Sequence, residues 1–286
     1  MNEAMKNTTV VITIPIYKEV PDKYEILSFK QCLNVLGSYQ IRIVAPEGLD
    51  LCRYFDLCQS TGTPAVDYFD KSYFKGISGY NRLMLSIEFT KKYINFEYIL
   101  IYQLDAYVFK DELSYWCSKG YDFIGAPGFI DSKEEDRYQF SEGMNGGFSL
   151  RKVSAMMELL HTWQKYFNLY DILTTKHLSV KSKVQLTYDY LIQGLPSGFR
   201  KTPMAIFYKH HEDFVLTMIF SKERKVLSVP PPLEASKFSF ELHPGLLYEL
   251  NENELPFGCH AWNKYNIGFW SGFIPEMAAS TTTCSS

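Results

Sequence analysis

Three short runs of aliphatic and β-branched residues, 10–16 (VVITIPI), 41–45 (IRIVA) and 98–102 (YILIY), punctuate the first third of the chain. Each has strand length and little polar alternation, so each predicts a strand buried on both faces. Pro15 has no amide hydrogen for a ladder and marks the carboxyl end of the first run. Pro46-Glu47-Gly48 closes the second. Between the runs, residues 23–36 place Leu27, Cys32 and Leu36 among their apolar positions, and residues 79–93 repeat Tyr80, Leu83, Met84 and Ile87 at helical spacing. Buried strands joined through helices need crossover connections. The pattern therefore predicts an α/β fold with a mostly parallel central sheet flanked by helices.

The second half reads differently. Residues 121–124 form a strand ending at Gly125-Ala126-Pro127, and residues 128–143, with their DSKEED run, read as a mobile acidic loop. A short strand is expected at 148–150. A helix follows over 153–167, with Val153, Met156, Met157, Leu160 and Phe167 on one face. Turn signals then crowd in, including Pro230-Pro231-Pro232 and His243-Pro244-Gly245, so the C-terminal part is irregular. Residues 1–277 read as one domain and the small polar residues 278–286 as a frayed tail.

Composition excludes several classes. With 29 Lys plus Arg against 32 Asp plus Glu, the net charge of −3 lacks the basic field that a nucleic-acid binder needs. The 46% hydrophobic content argues against disorder, yet no apolar stretch is long enough for a transmembrane segment. Residues 1–9 lack an apolar targeting core, and the six cysteines are scattered without a C-x-x-C pair. Both features point to reduced thiols in the cytoplasm.

In an open parallel sheet a ligand sits beyond the carboxyl ends of the strands, which directs attention to the polar residues there. After the first strand come Pro15, Tyr17, Lys18 and Glu19; after YILIY come Gln103 and Asp105; before the 148–150 strand lies Asn145-Gly146-Gly147. Asp105 stands among apolar neighbours and requires a partner. It reads either as an oxygen ligand for Mg²⁺ or Mn²⁺, or as a strand-end residue capping a turn. Gly146 and Gly147 permit close backbone approach to a ligand, or form a plain turn. Glu212 and Asp213 precede the apolar segment 214–220, where one of them supplies a general base or merely caps a helix. Adjacent His210 and His211 cannot share a metal from a strand, and His260 reads either as a ligand or as a structural or solvated loop histidine. The chain has no phosphate-loop, dinucleotide, nucleophile-elbow or zincin motif.

Taken in order, TIPIYKE, LIYQLDAYVF, YDFIGAP, NGGFSLRK, HEDF and PFGCHAW resemble a little-characterised family of bacterial and fungal GT-A-like glycosyltransferases, over residues 10–262. The resemblance implies a hexosyltransferase taking a nucleotide-sugar donor, expected to be a UDP-sugar. The acceptor would be a glycan or lipid-linked glycan in surface polysaccharide synthesis. The setting would be cytoplasmic, with peripheral attachment at the inner face of the membrane as a variant. It implies that Pro15 and Tyr17 form the nucleotide-facing loop, with Tyr17 stacking on the base, and that Arg82 reaches the diphosphate or donor sugar. Asp105 would match the acidic metal-binding D-x-D position, with His260 as the C-terminal metal or diphosphate contact. Asn145, Gly146 and Gly147 would line the donor and acceptor, and Asp213 with Glu212 would supply the base of an inverting reaction. A retaining course stays open. The D-x-D position reads Gln103-Leu104-Asp105 or Asp105-Ala106-Tyr107, one carboxylate short, which weakens the expected divalent metal (Mn²⁺ or Mg²⁺). Two alternatives follow: a binding module of the same fold with little turnover, or a sugar-nucleotide nucleotidyltransferase.

Overall fold

The computed structural model describes residues 9–58, 62–130, 138–163, 169–176, 178–194 and 210–274. Its centre is a six-stranded sheet in the order β3-β2-β1-β4-β9-β6. The strands are β1 (Val10–Pro15), β2 (Gln40–Pro46), β3 (Ala65–Phe69), β4 (Tyr98–Tyr102), β6 (Phe123–Ile124) and β9 (Phe148–Lys152). Pairs β1–β2, β1–β4 and β2–β3 are parallel, whereas β9 runs antiparallel to both its neighbours. The sheet is thus mainly parallel, and Pro15 is the last residue of β1.

Side chains of the central strands alternate between two apolar layers. Ile12, Ile14, Leu100 and Tyr102 pack in one cluster with Phe29, Leu33 and Leu36 of α1 (Lys23–Leu36). Val11, Val44, Ile99 and Ile101 pack in the opposite one with Leu83 and Phe89. Burial on both faces is why these strands read as continuous apolar runs. Helix α1 starts at a capping box: Asp22 accepts from the amides of Tyr24 and Glu25, and Glu25 accepts from the Asp22 amide.

The structure corrects several boundaries. The single helix expected over 79–93 is two, α2 (Gly76–Met84) and α3 (Ile87–Lys92). Ser86 divides them because its hydroxyl caps the Phe89 amide in extended backbone. The 121–124 strand shrinks to β6. Residues 128–143, expected as a loop, contribute to an antiparallel pair, β7 (Pro127–Ile130) and β8 (Gln139–Met144), while 131–137 fall outside the described residues. Beyond the short helix α4 (Leu113–Ser118), the helix expected to reach 167 ends at Thr162 as α5 (Val153–Thr162), and 164–168 are not described. Strand β3 was not anticipated. Residues 214–220, of uncertain type in sequence, continue a helical turn (Glu212–Phe214) that widens into a π-helix (Val215–Glu223). The expected tail, 278–286, also lies outside the described residues.

The C-terminal part is more ordered than its turns suggest. β10 (Ser239–Phe240) and β11 (Gly258–Cys259) form a small sheet with β5 (Tyr107–Val108). Trp262 and Trp270, both fully buried, pack there with Tyr107. This docking returns residues 258–264 to the end of β4. Cys32, Cys52, Cys58, Cys117 and Cys259 carry free thiols. Among the described residues no helix is long and apolar enough to cross a membrane.

Candidate functional site

From β1 the sheet grows outward through β2 and β3, and then reverses, adding β4 on the other side of β1. Connections leave a reversal point in opposite directions and open a crevice at the carboxyl ends of the strands. A cavity of about 650 Å³ lies there, lined by residues following β1 and β4 and by segments reaching in from the C-terminal half. Of the residues singled out in sequence, Pro15, Tyr17, Gln103, Asp105, Asn145, Gly147, Glu212, Asp213 and His260 line it together. Arg82 does not. Its guanidinium bonds Ser72 Oγ at 3.0 Å and lies over the Tyr73 ring. Gly146 sits just behind the wall, its N–H donating to Asp213 Oδ2 at 3.0 Å.

One wall carries a chain of charge. His260 Nε2 lies 3.1 Å from Asp105 Oδ1 and 3.2 Å from Gln103 Oε1, while Nδ1 lies 3.0 Å from Glu241 Oε1. Lys264 Nζ donates to Asp105 Oδ2 at 2.6 Å. Burial opposes charge on His260, yet Asp105 and Glu241 outweigh it and hold the imidazole up to about 9. Burial likewise pushes the Asp105 carboxyl up, but His260 and Lys264 prevail and keep it well below the usual carboxylate range. A left-handed turn at Ala261, φ 50°, follows His260, and the Lys264 amide closes that turn on the Ala261 carbonyl. That reversal lets His260 and Lys264 face the same carboxylate.

The opposite wall holds the paired carboxylates. Glu212 Oε1 accepts from Arg151 Nη2 at 2.8 Å, both side chains almost wholly buried. Arg151 comes from β9 and also donates to the Gly146 carbonyl. Burial pushes Glu212 up from its ordinary value, with Asp213 adding to the rise and Arg151 pulling against it. Burial raises Asp213 too, opposed by the N–H groups of Phe214 and Gly146. Glu212 Oε2 and the hydroxyl of Tyr54, both on residues lining the cavity, are buried with no hydrogen-bond partner among the described residues. Buried polar atoms are normally satisfied, so a polar ligand is the natural complement.

Asn145-Gly146-Gly147 joins the two walls. The Asn145 amide donates to Glu241, its carbonyl oxygen accepts from the Gly147 N–H, and the Gly147 carbonyl accepts from Gln103 N–H. A Cβ at Gly146 would overlap the Glu212 carboxylate, and one at Gly147 would overlap the His260 ring. Both glycines are therefore required by close approach, whatever else they do.

The donor set fits a divalent cation. Gln103 Oε1 and Asp105 Oδ1 each lie about 3 Å from His260 Nε2, the spacing of adjacent corners around an octahedral ion with ligands at ~2.1 Å. Glu241 on Nδ1 supplies the carboxylate–histidine support common at metal sites. Among the described residues no group of three or more His, Cys, Asp or Glu is placed to hold a metal ion. With one carboxylate, metal would compete with the imidazole proton and with Lys264.

Sequence reasoning passed over Glu241, Lys264 and Arg151. Lys264, in a turn that reverses at Ala261 to come beside His260, gave no periodic signal. Glu241, at a strand end with no periodicity, gave none.

The fold and site define an α/β protein with a charged, polar cavity at a sheet's reversal point. The chain belongs to the family described as "Protein of unknown function (DUF5672)", which matches residues 63–260. No curated protein sequence matches it. The structure is similar to the galactosyltransferase LgtC in complex with donor and acceptor sugar analogs, at 13% identity over 94% of this chain and 95% of that one, TM-score 0.47. It is also similar to mouse xyloside xylosyltransferase 1, apo form, at 12% identity over 88% and 97%, TM-score 0.44. The bifunctional glycosyltransferase WbbM, apo, matches at 12% identity over 88% of this chain and 45% of that one, TM-score 0.48.

Proposed function

We propose that this protein is a GT-A-like glycosyltransferase that moves a sugar from a nucleoside diphosphate sugar, expected to be a UDP-sugar, to a hydroxyl of a glycan acceptor. The observation that carries the reading is one cavity with the Lys264–Asp105–His260 cluster on one wall, Asp213 on the other, and a glycine turn between them. An inverting glycosyl transfer uses both elements: cations where the diphosphate leaves and a carboxylate where the acceptor proton is lost. The ordered sequence motifs support the same class.

Tyr17, largely exposed at the end of β1, would stack on the base. Lys264 and the His260 imidazolium would meet the diphosphate oxygens, with Glu241 and Asp105 holding both in place. Where a divalent cation is bound by Asp105, His260 and Gln103, it would add positive charge opposite the departing diphosphate. Asp213 would act as the base. Burial raises its carboxyl above the ordinary value, which strengthens it as a proton acceptor, and the Gly146 N–H orients it. The acceptor oxygen would form a bond to the anomeric carbon as its proton passes to Asp213. The bond from that carbon to the phosphate oxygen breaks, and its electron pair leaves with UDP. Glu212, committed to Arg151, would orient the donor through its free oxygen rather than take the proton.

The test is UDP release from a panel of UDP-sugars with simple glycan acceptors, with and without Mn²⁺. Asp213→Asn should cut transfer by about 10²–10⁴-fold while UDP still binds. Full activity in that variant would remove Asp213 from the mechanism. UDP binding with no turnover in the unaltered protein would leave a binding module.

A further inference from the structure

Tyr54 enters the apolar core from a single helical turn (Cys52–Phe55) that follows β2. Its ring meets Phe29 of α1 edge-on at 5.8 Å, and the residue is wholly buried. Such packing holds the ring in place. Tyr54 nevertheless lines the cavity, and its buried hydroxyl has no hydrogen-bond partner among the described residues. Two acids that line the cavity with it are already engaged. Asp22 accepts from the amides of Tyr24 and Glu25 and from Lys18, and Glu25 accepts from the Asp22 amide and pairs with Lys18. A buried hydroxyl left unmet costs stability, so its complement comes from what enters the cavity.

Burial pushes the Tyr54 hydroxyl far up, and Glu25, Tyr17 and Asp22 add to the rise. It therefore stays a neutral O–H, able to donate or to accept. With two carboxylates acting on it, an incoming group that brings a hydrogen is favoured over one that brings a lone pair. Tyr17, at the end of β1, acts on the ionisation of both Tyr54 and Lys264 and so connects this corner with the charged wall. A nucleotide whose diphosphate meets Lys264 and whose base lies on Tyr17 would bring the far edge of that base to Tyr54. Ribose, bonded directly to phosphate, stays on the Lys264 side. On its far edge uracil carries an imide N–H, where cytosine carries a bare ring nitrogen.

Resting on the sugar-transfer reading, we propose that the Tyr54 hydroxyl oxygen accepts the imide N–H of uracil and so selects UDP-sugars over their cytidine counterparts. A buried polar group that one ligand satisfies better than its analogue is a strong discriminator, because no water repairs the mismatch.

Calorimetric titration of UDP and CDP into the unaltered protein and into Tyr54→Phe tests it. The two ligands match in size and differ only at the base edge. The unaltered protein should bind UDP at least about tenfold tighter than CDP. Tyr54→Phe should lose about tenfold on UDP and little on CDP. The melting temperature without ligand should not fall, since no described residue bonds the hydroxyl that is lost. Tyr98→Phe is the control: it removes a buried hydroxyl likewise without a partner among the described residues, but outside the cavity lining. It should bind both ligands as the unaltered protein does. An unchanged ratio of UDP to CDP affinity in Tyr54→Phe would overturn this inference and leave the sugar-transfer reading standing, as would an unaltered protein that does not prefer UDP. Binding of neither nucleotide would overturn both this inference and the UDP-sugar reading.

Discussion

Gly147 lies against the ring of His260 so closely that no side chain fits between them. The backbone of this residue is also tied down, its N–H to Asn145 and its carbonyl to the Gln103 amide. Neither partner can yield alone: the imidazole is held between Asp105 and Glu241, and the turn is held by β4. Gly147→Ala should therefore destabilise the protein by about 1–3 kcal/mol, the usual cost of overpacking. It should also weaken UDP binding, because His260 must turn away from Asp105. Gly268→Ala, where the added Cβ meets nothing closer than 3.9 Å, is the control. Thermal melts and UDP titration of both variants check this. Equal behaviour would show that the ring has room to shift.

Lys264 is the most accessible member of the charged wall, its side chain 60% exposed while Asp105 is 17% exposed. An ion pair so open to water contributes little to folding, within about 1 kcal/mol. Lys264→Ala should leave the melting temperature nearly unchanged and weaken UDP binding about tenfold, as expected for loss of one charge-assisted contact to phosphate. Uridine, which lacks phosphate, should bind both forms alike. Calorimetric titration distinguishes these cases, and an equal loss for uridine would move Lys264 away from the diphosphate.

The parts of the fold legible in sequence are those where burial is uniform. β1, β4 and α1 declared themselves because both faces of the sheet are covered and α1 carries its capping residues. β3 was invisible because its central residue is Asp67, a charge whose burial makes sense only once Arg42 of β2 stands beside it. The β7–β8 pairing hid behind acidic composition. In the site, Asp105, Asn145, Gly147, Asp213 and His260 were singled out by their places at strand ends and in short motifs. Arg82 was named from the resemblance alone, and its guanidinium lies on Ser72 and the Tyr73 ring, outside the cavity lining. Glu241 and Arg151 act through partners some 20 and 60 residues away, and no local pattern encodes that.

Arg151 and Glu212 form an ion pair with both side chains at most 4% exposed. Removing one partner strands the other in a medium of low dielectric. Arg151→Met should cost about 3–5 kcal/mol. The double variant Arg151→Met with Glu212→Leu should recover part of that loss, since no uncompensated charge remains. Urea unfolding of the two single variants and the double completes the cycle. Additive effects would mean that the pair is not coupled.

Asp67 offers a pH-dependent signature remote from the site. Its carboxylate is 1% exposed, bonded twice by Arg42, once by the Tyr93 hydroxyl at 3.0 Å, and lies 3.4 Å from Lys92. Burial would raise its titration point, but Arg42, Tyr93 and Lys92 together hold it below the ordinary value. A carboxylate depressed in the folded state binds protons less readily there than in the unfolded chain. Its contribution is fully present above the unfolded value, about 3.9, and is lost as pH falls through the folded one. The stability difference between the unaltered protein and Asp67→Asn should therefore be constant from neutral pH down to about 5 and shrink steadily below 4. Urea unfolding of both proteins across that range measures it. A difference that grew on acidification would mean that Asp67 is protonated in the folded protein and that Arg42 is satisfied elsewhere.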